Sequence, residues 1–326
     1  MATLKDIAAA CETSIATVSY VLSGRGDERR ISSAMQEKVI RMAEELGYDL
    51  AAKARKSRRP AVAVYWPQRQ MDTMLPAFIT GLNAALAMAP ITADVIIQPY
   101  EPNHLSEQNG LWTPGRAGAS VIVSASAEDV EALKRRRTTY PAVLVNRTAE
   151  GYPCVTIDED EVGQLAAEYA KQTLGDDISL VLPDRWLQGV QYRSRSVQDS
   201  LDRYGVVPRS VHTCGIEIND GYALGQRMLL EGKLPRGIIC LYDTAAIGLA
   251  QAFKDAGLKI GQDVELIAMS MSYTNTSSHL FQDLTVIDLR QVEVSTRATN
   301  MAIELATHAG ADNRHIVVHP TLIPHR

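Results

Sequence analysis

Residues 13–24, TSIATVSYVLSG, combine hydroxyl groups with apolar side chains and carry no charge. Read as a helix, the segment has an apolar stripe at positions i, i+3 and i+4, formed by Val18, Val21 and Leu22. The opposite face carries Ile15, Ala16, Ser19 and Tyr20. A solvated helix face normally carries charged residues. We therefore expect this uncharged face to contact a partner.

The sequence contains none of the motifs GxSxG, Walker A, HExxH or GxGxxG. His315 and His319, in HIVVH, share one face of an expected strand, but no acid or thiol nearby in the sequence completes a set of metal ligands. We therefore expect no enzyme activity, no cofactor and no metal site.

Several features indicate a soluble cytoplasmic protein. No apolar run approaches the roughly 18 residues of a membrane span. The N-terminal segment carries the acids Asp6 and Glu12 and no signal-peptide core. The cysteines lie in apolar surroundings without CxxC spacing, so buried free thiols are expected at Cys11, Cys154, Cys214 and Cys240.

Charge divides the chain unevenly. Residues 1–60 hold 11 Lys and Arg against 8 Asp and Glu, a net charge of +3, and the remaining residues hold 22 against 30, a net charge of −8. The stretch 53–59, KARKSRR, has five basic residues in seven. A basic end on an acidic body predicts that the end binds a polyanion.

Capping residues predict three short N-terminal helices. Thr3 and Asp6 have capping-box spacing. Ser14 is expected to cap a second helix after a tight turn, and Ser32 a third that ends near Gly47.

The rest of the chain alternates short apolar strands with helical patterns, and the expected strands are 61–66, 93–100, 120–125, 141–146, 178–183, 237–242 and 264–270. This alternation predicts an α/β body of two doubly wound parallel sheets.

The segment TLKDIAAACETSIATVSYVLSG resembles the opening helix-turn-helix of the lactose-repressor (LacI) family of bacterial transcription factors. Weaker likeness extends along the chain, in NRTAEGYPCVTIDEDEVG, YDTAAIGLAQAFKDAGLKIGQDVELIAMS and LTVIDLRQ. The resemblance implies an all-α DNA-binding domain (1–47), a basic hinge (48–60) and a periplasmic-binding-protein-like body. It implies a first lobe of residues 61–158 with 288–312 and a second of 159–287 with 313–326.

The resemblance implies a DNA contact for the uncharged face. The second helix of such a motif enters the major groove, so Ile15, Ala16 and Tyr20 match base-facing positions, with Ser19 beside them. Positions that match phosphate contacts are Thr3, Ser14, Thr17, Ser23 and Ser32. An alternative is that Ile15 packs inside the domain.

The turn and the hinge depart from the family pattern. Glu12 stands where a turn glycine is common, so a strained or altered turn is expected. Ser57 stands where a leucine usually wedges into the operator, and Leu50 where a proline is common. Ser57 cannot wedge, and the basic residues Arg55, Lys56, Arg58 and Arg59 are expected to hold the minor groove electrostatically instead. Ala54 and Ser57 are further candidate DNA contacts of the hinge. The alternative is an ordinary solvated linker.

In the family, the two lobes close on a small effector, often a sugar or nucleobase. Arg193 matches the arginine that grips it, and its planar fork suits ligand hydroxyls or a carboxylate. The other candidate effector residues are Asp72, Asn146, Arg147, Trp186, Ile216, Tyr242, Asp243 and Ser270. Ser270 replaces a sugar-binding aspartate and Ile216 a stacking aromatic, for which Trp186 is a substitute. Each candidate could instead be a helix cap or surface pair.

These observations favour a dimeric, sequence-specific DNA-binding regulator, a repressor, whose partners are duplex operator DNA, a small effector of carbohydrate type and a second copy of the chain, with no membrane. No leucine heptad follows HIVVHPTLIPHR, so a dimer is expected and not a tetramer built on a C-terminal bundle. The alternatives are a two-lobed small-molecule binding protein and a regulator that binds DNA without an effector.

Overall fold

The computed structural model describes residues 3–22, 26, 29–46, 48, 61–68, 74–89, 93–112, 117–184, 188–275, 277–307 and 313–325. The chain divides into two compact units, residues 1–60 and 61–326. Among the described helices, none has both the length and the apolar character that a membrane span requires.

The N-terminal unit contains the helices α1 (Leu4–Ala10), α2 (Ile15–Leu22) and α3 (Ser33–Glu45). Their starts agree with the capping prediction. The hydroxyl of Thr3 accepts the N–H of Asp6 at 3.3 Å, and the carboxylate of Asp6 accepts the N–H of Thr3 at 2.7 Å. The hydroxyl of Ser14 accepts the N–H of Thr17 at 3.0 Å. The hydroxyl of Ser32 accepts the N–H three residues on, at 3.4 Å.

The turn between α1 and α2 carries the strain expected at Glu12. Its φ is 55°, in the left-handed region, which costs a residue with a side chain about 1–2 kcal/mol. The turn directs Val18 and Val21 of α2 into a small core with Ile7 and Val39. The expected apolar stripe of α2 is therefore the buried one.

The second unit contains two six-stranded sheets. The first has the order β11-β5-β4-β3-β1-β2 and is entirely parallel. Its strands are β1 (Ala61–Pro67), β2 (Asp94–Tyr100), β3 (Ala119–Val123), β4 (Ala142–Val145), β5 (Cys154–Ile157) and β11 (His315–Val318). The second has the order β12-β10-β9-β8-β6-β7, with only β12 antiparallel. Its strands are β6 (Ile178–Pro183), β7 (Ser210–Cys214), β8 (Gly237–Cys240), β9 (Glu265–Ser270), β10 (Thr285–Asp288) and β12 (Thr321–Ile323).

Helices connect these strands in the manner of a doubly wound fold. The α-helices are α4 (Leu75–Met88), α5 (Asn109–Trp112), α6 (Ala127–Arg135), α7 (Glu159–Thr173), α8 (Gln188–Arg203), α9 (Ile218–Glu231), α10 (Asp243–Asp255) and α11 (Gln291–Thr307). Short 3₁₀ turns lie at Leu105–Glu107 and Ser278–Phe281. The alternation predicted for the body is confirmed.

The chain passes between the two sheets at three places, which we call the crossovers: β5 to α7, β10 to α11, and β11 to β12. The assignment of residues 313–326 to the second lobe was wrong for β11. This strand lies beside β5, where Cys154 donates its N–H to the carbonyl of Arg314 at 2.9 Å. Only β12 joins the second sheet. Parallel pairing with β5 covers an otherwise open strand edge, which no local pattern in HIVVH specifies.

Close packing of α9 on α10 sets the position of the start of α10. A Cβ atom on Gly221 would lie 2.0 Å from the carbonyl oxygen of Ala245, and one on Gly248 would lie 2.0 Å from that of Ile218. The two glycines allow the helix backbones to approach this closely. As a result Asp243, the first residue of α10, is fixed at the carboxyl edge of the second sheet.

Candidate DNA-binding and effector sites

The outer face of α2 is accessible, as a recognition surface requires. The side chain of Ile15 is 50% exposed, and Ala16 beside it is also exposed. Ser19 and Tyr20 are half-buried, whereas Val18 is fully buried. The alternative that Ile15 packs inside the domain is therefore wrong. The exposed surface of α2 offers methyl groups and hydroxyls but no charge.

Tyr20 has a cationic neighbour that sequence reasoning missed. The guanidinium carbon of Arg29 lies 4.7 Å from the centre of the Tyr20 ring, a cation–π distance. The contact limits the movement of the ring and places a positive charge beside the uncharged face of α2. The sequence signal for this contact is the pair of basic residues Arg29 and Arg30, which precede the third expected helix.

The hydroxyl groups matched to phosphate contacts lie at helix starts. Thr3, Ser14 and Ser32 are exposed, and Thr17 is half-buried with its hydroxyl 2.8 Å from that of Ser14. Helix N-termini attract phosphate because their N–H groups point outward. The remaining candidate DNA contacts lie outside the described residues, namely Ser23, Ala54, Arg55, Ser57 and Arg58.

In the body, Asp243 is the centre of a buried hydrogen-bond cluster. Its Oδ2 atom accepts the hydroxyl of Ser270 at 2.7 Å, and both the hydroxyl and the N–H of Ser272 at 2.6 and 3.2 Å. Its Oδ1 atom accepts the N–H of Thr244 at 2.9 Å. Ser270 is fully buried. Ser270, which stands where the family usually has an aspartate, therefore donates a hydrogen bond to the carboxylate of Asp243. Asp243 follows a different strand, β8.

Arg193 forms a bidentate ion pair with Glu159, a residue that sequence reasoning missed. Its Nε and Nη2 atoms donate to the two carboxylate oxygens of Glu159 at 2.9 and 2.7 Å. The side chains are 6% and 25% exposed. Burial opposes the charge on Arg193, but the Glu159 carboxylate outweighs it and raises the pKa of Arg193. Nearby Tyr242 and Asp243 act on the same charge.

Asn146 and Arg147 follow β4, at the carboxyl edge of the first sheet. Asn146 has a φ of 57°, and its buried Oδ1 atom has no hydrogen-bond partner within the described residues. Arg147 donates from Nε to the carbonyl of Ala125 at 2.7 Å and from Nη1 to that of Asn146 at 2.5 Å. Burial lowers the pKa of Arg147. Glu159 and Arg193 also act on its charge, so both lobes contribute polar groups to this region.

Gln291, at the start of α11, also escaped sequence reasoning. Its side chain is 1% exposed, yet neither of its amide atoms has a partner in the described parts of the chain. Two residues earlier, Leu289 donates its N–H to the carbonyl of Ser270 at 2.9 Å. An unsatisfied buried polar group costs about 1–3 kcal/mol. No pattern in the sequence marks Gln291, because its burial depends on how α11 packs.

Tyr242 and Ile216 are the remaining effector candidates among the described residues. Tyr242 precedes α10 and is half-buried. Ile216 is half-buried, and its carbonyl accepts the hydroxyl of Thr244. Asp72 and Trp186 lie outside the described residues. The structure thus brings Arg193, Asp243 and Ser270 to one edge of the second sheet.

The four cysteines are free and buried, as predicted. Burial raises the pKa of Cys214 to about 11 and that of Cys240 to about 12. A thiol with so high a pKa is a poor nucleophile near neutral pH.

Comparisons with known proteins agree with this architecture. Residues 3–49 match the model of bacterial regulatory proteins of the lacI family, and residues 160–326 match that of the periplasmic binding protein-like domain. The transcriptional repressor MelR of Bacillus subtilis (strain 168) is 24% identical over 293 residues, which cover 83% of this chain and 82% of MelR.

Two solved structures share the fold. One is the lac repressor dimer bound to operator and the anti-inducer ONPF, with a TM-score of 0.66 and 17% identity over 99% of this chain and 97% of that one. The other is a LacI family transcriptional regulator from Enterococcus faecium with bound ribose, with a TM-score of 0.65 and 18% identity over 81% and 96%. The matches of residues 3–49 and 160–326 to the two family models, together with the three-helix unit and the two-sheet body, mean that the chain belongs to the LacI family of bacterial regulatory proteins.

Proposed function

We propose that this protein is a transcriptional repressor that binds operator DNA as a homodimer and responds to a small hydroxyl-rich effector of carbohydrate type. The observation that carries the proposal is the outward, uncharged face of α2, with Ile15 half exposed above a buried Val18. Apolar side chains of this kind fit thymine methyl groups, and a tyrosine hydroxyl fits a base edge. MelR, a relative over most of the chain, is named as a repressor.

Replacement of Tyr20 tests the reading of bases. We expect Tyr20→Ala to relax sequence preference by about 1–3 kcal/mol at one base position. Tyr20→Phe keeps the ring that Arg29 covers and should lose only the share due to the hydroxyl. Thr17→Ala is the matched control, because loss of a phosphate contact weakens all sequences alike. Selection from a random-site library measures each preference. An unchanged preference in Tyr20→Ala would mean that Tyr20 only packs.

The chemistry of the candidate effector site supports a hydroxyl-bearing ligand. Asn146 offers a buried carbonyl oxygen that has no hydrogen-bond partner among the described residues, and Gln291 offers an amide that can both donate and accept. Arg193 and Asp243 supply opposite charges nearby. A ligand with several hydroxyls can donate to the acceptors and accept from the donors. The regulator from Enterococcus faecium carries ribose, which is such a compound.

The homodimer is supported by apolar residues on the outer strand of the first sheet. Ile96 and Ile97, consecutive residues of β2, are 37% and 42% exposed. An exposed apolar edge strand is a place where another chain pairs. One helix-turn-helix reads few base pairs, whereas two related by a two-fold axis match palindromic half-sites. The lac repressor, which shares this fold, is a dimer on its operator.

Ile97→Asp tests the homodimer. We expect it to weaken dimerisation by about tenfold or more, because an apolar interface would bury an unpaired carboxylate. The affinity for the operator should fall as well, because two linked DNA-binding units would no longer bind the two half-sites together. Val317→Asp is the control, because Val317 is similarly exposed at the opposite edge of the same sheet. Sedimentation equilibrium measures both variants. A monomeric wild-type protein would refute the proposal, as would equal effects of the two substitutions.

A regulator that needs no effector is the second candidate. One edge of the Arg193 guanidinium, formed by Nε and Nη2, is paired with Glu159, and Asp243 accepts hydrogen bonds from Ser270 and Ser272. A ligand would have to replace or extend these contacts. A thermal-shift screen of sugars and oligosaccharides separates the two candidates, because a ligand that binds only the folded protein raises its melting temperature.

A further inference from the structure

The third crossover brings His319 against two carboxylates of the first crossover. The Nδ1 atom of His319 lies 2.5 Å from Oε2 of Glu161 and 3.8 Å from Oδ2 of Asp158. The ligand atoms of the three residues all lie within 4.8 Å of one another. Asp158 also donates its N–H to the carbonyl of Val318 at 3.0 Å, which holds the two crossovers together.

This cluster overturns the reason for expecting no metal ligand set around HIVVH. The sequence shows no acid near His319, because the acids lie about 160 residues earlier in the chain. They become neighbours because β11 pairs in parallel with β5. Both strands therefore end at the same edge of the first sheet, where Asp158 and His319 follow them.

The carboxylates are held in place by the start of α7. Oδ1 of Asp158 accepts the N–H of Glu161 at 3.0 Å, which leaves Oδ2 directed towards His319. Glu161 lies three residues after Asp158, so both side chains are on one face of the first turn. A zinc ion about 2.0–2.2 Å from each ligand atom spaces those atoms about 3.3 Å apart. This spacing lies between the two distances observed around Nδ1.

The charge of the cluster also favours a cation. Among the described residues, the only ion pairs of Asp158 and Glu161 are those with His319. Glu293, the other acid that acts on His319, is already bonded to Arg290 at 2.9 Å and to Arg297 at 2.6 Å. The neighbouring Glu159 is bonded to Arg193. Apart from His319, the two carboxylates therefore have no basic ion-pair partner among the described residues.

We propose that Asp158, Glu161 and His319 bind one Zn²⁺ ion that links the first and third crossovers. One imidazole nitrogen and two carboxylate oxygens form a donor set that zinc accepts, and water completes the tetrahedron on the exposed side. His319 is 69% exposed, so the ion has access from solvent. The site is distinct from the DNA-binding and effector sites, and it stabilises one arrangement of the two lobes because it joins two of the three connections between them.

Calorimetric titration of the tag-free, metal-free full-length protein with zinc chloride tests the proposal. We expect one Zn²⁺ per chain for the wild type. Loss of a partner that only supports a zinc ligand costs about 10- to 100-fold in affinity, so His319→Ala and Glu161→Gln, which remove ligands, should lose at least that much. His315→Ala is the control. His315 is the first residue of β11, the strand that His319 follows. It is bonded to Thr156 at 2.8 Å, and its loss should leave zinc affinity unchanged.

Two further measurements make the result decisive. Urea unfolding of each variant shows whether the fold is intact, and Co²⁺ absorption reports the coordination of a substitute ion. A site that binds zinc equally well in His319→Ala, or depends equally on His315, overturns the proposal. So does a wild-type protein that binds no zinc, or a Glu161→Gln protein with unchanged affinity.

Discussion

The affinity of the full chain for its operator is expected to fall by about 10³–10⁵-fold when the salt concentration rises from 50 to 200 mM, as for a protein that contacts six to ten phosphates. The reason is the release of counterions when basic residues neutralise DNA phosphates. Residues 1–60 carry a net charge of +3 and residues 61–326 a net charge of −8. The DNA contacts should therefore reside entirely in the first unit.

Fluorescence anisotropy with a labelled duplex operator measures this dependence over a sodium chloride series. Residues 61–326 form a compact unit of their own, so the chain without residues 1–60 is the control and should bind no DNA. Retention of full binding by that control would overturn the assignment of the DNA contacts. An affinity that does not change with salt would contradict the role of phosphates.

The elements that depend on neighbouring residues could be predicted from the sequence. The stripe of Val18 and Val21 and the caps at Thr3 and Ser14 follow from spacing of four residues or fewer, and the strained turn at Glu12 follows from the family resemblance. Each is present in the structure. Local patterns succeed here because a helix and its cap close their hydrogen bonds over three or four residues.

Features that depend on distant pairing could not be predicted. From the sequence alone, Ser270 indicates the loss of a ligand-binding acid. In the structure its hydroxyl donates to the carboxylate of Asp243, 27 residues away. In the same way, no local pattern around Glu159 indicates that α8 places Arg193 next to its carboxylate. Parallel strands separated by helices bring such residues together at one edge, and the sequence alone does not state which strands are neighbours.

The ion pair between Arg193 and Glu159 changes what a mutation of Arg193 would report. Arg193→Ala is expected to lower the free energy of unfolding by about 3 kcal/mol, the lower end for a broken buried pair, because Glu159 remains a quarter exposed. Glu159→Gln leaves the guanidinium buried and unpaired, so its cost should be about 3–5 kcal/mol. Urea unfolding measures both values. Arg195→Ala is the control on the same helix, where an exposed arginine should cost at most about 0.5 kcal/mol.

The double variant Arg193→Met/Glu159→Gln separates stability from effector binding. Replacing both charges removes the pair without leaving either ion alone, so most of the lost stability should return. If Arg193 grips the effector, this folded variant should keep operator affinity in the absence of ligand and lose its response to any sugar that releases wild-type protein from DNA. Linkage requires that response to be a shared factor, typically about 5- to 150-fold. A double variant that folds and still releases DNA at the wild-type ligand concentration would show that Arg193 stabilises the second lobe only, and that the effector binds through other groups.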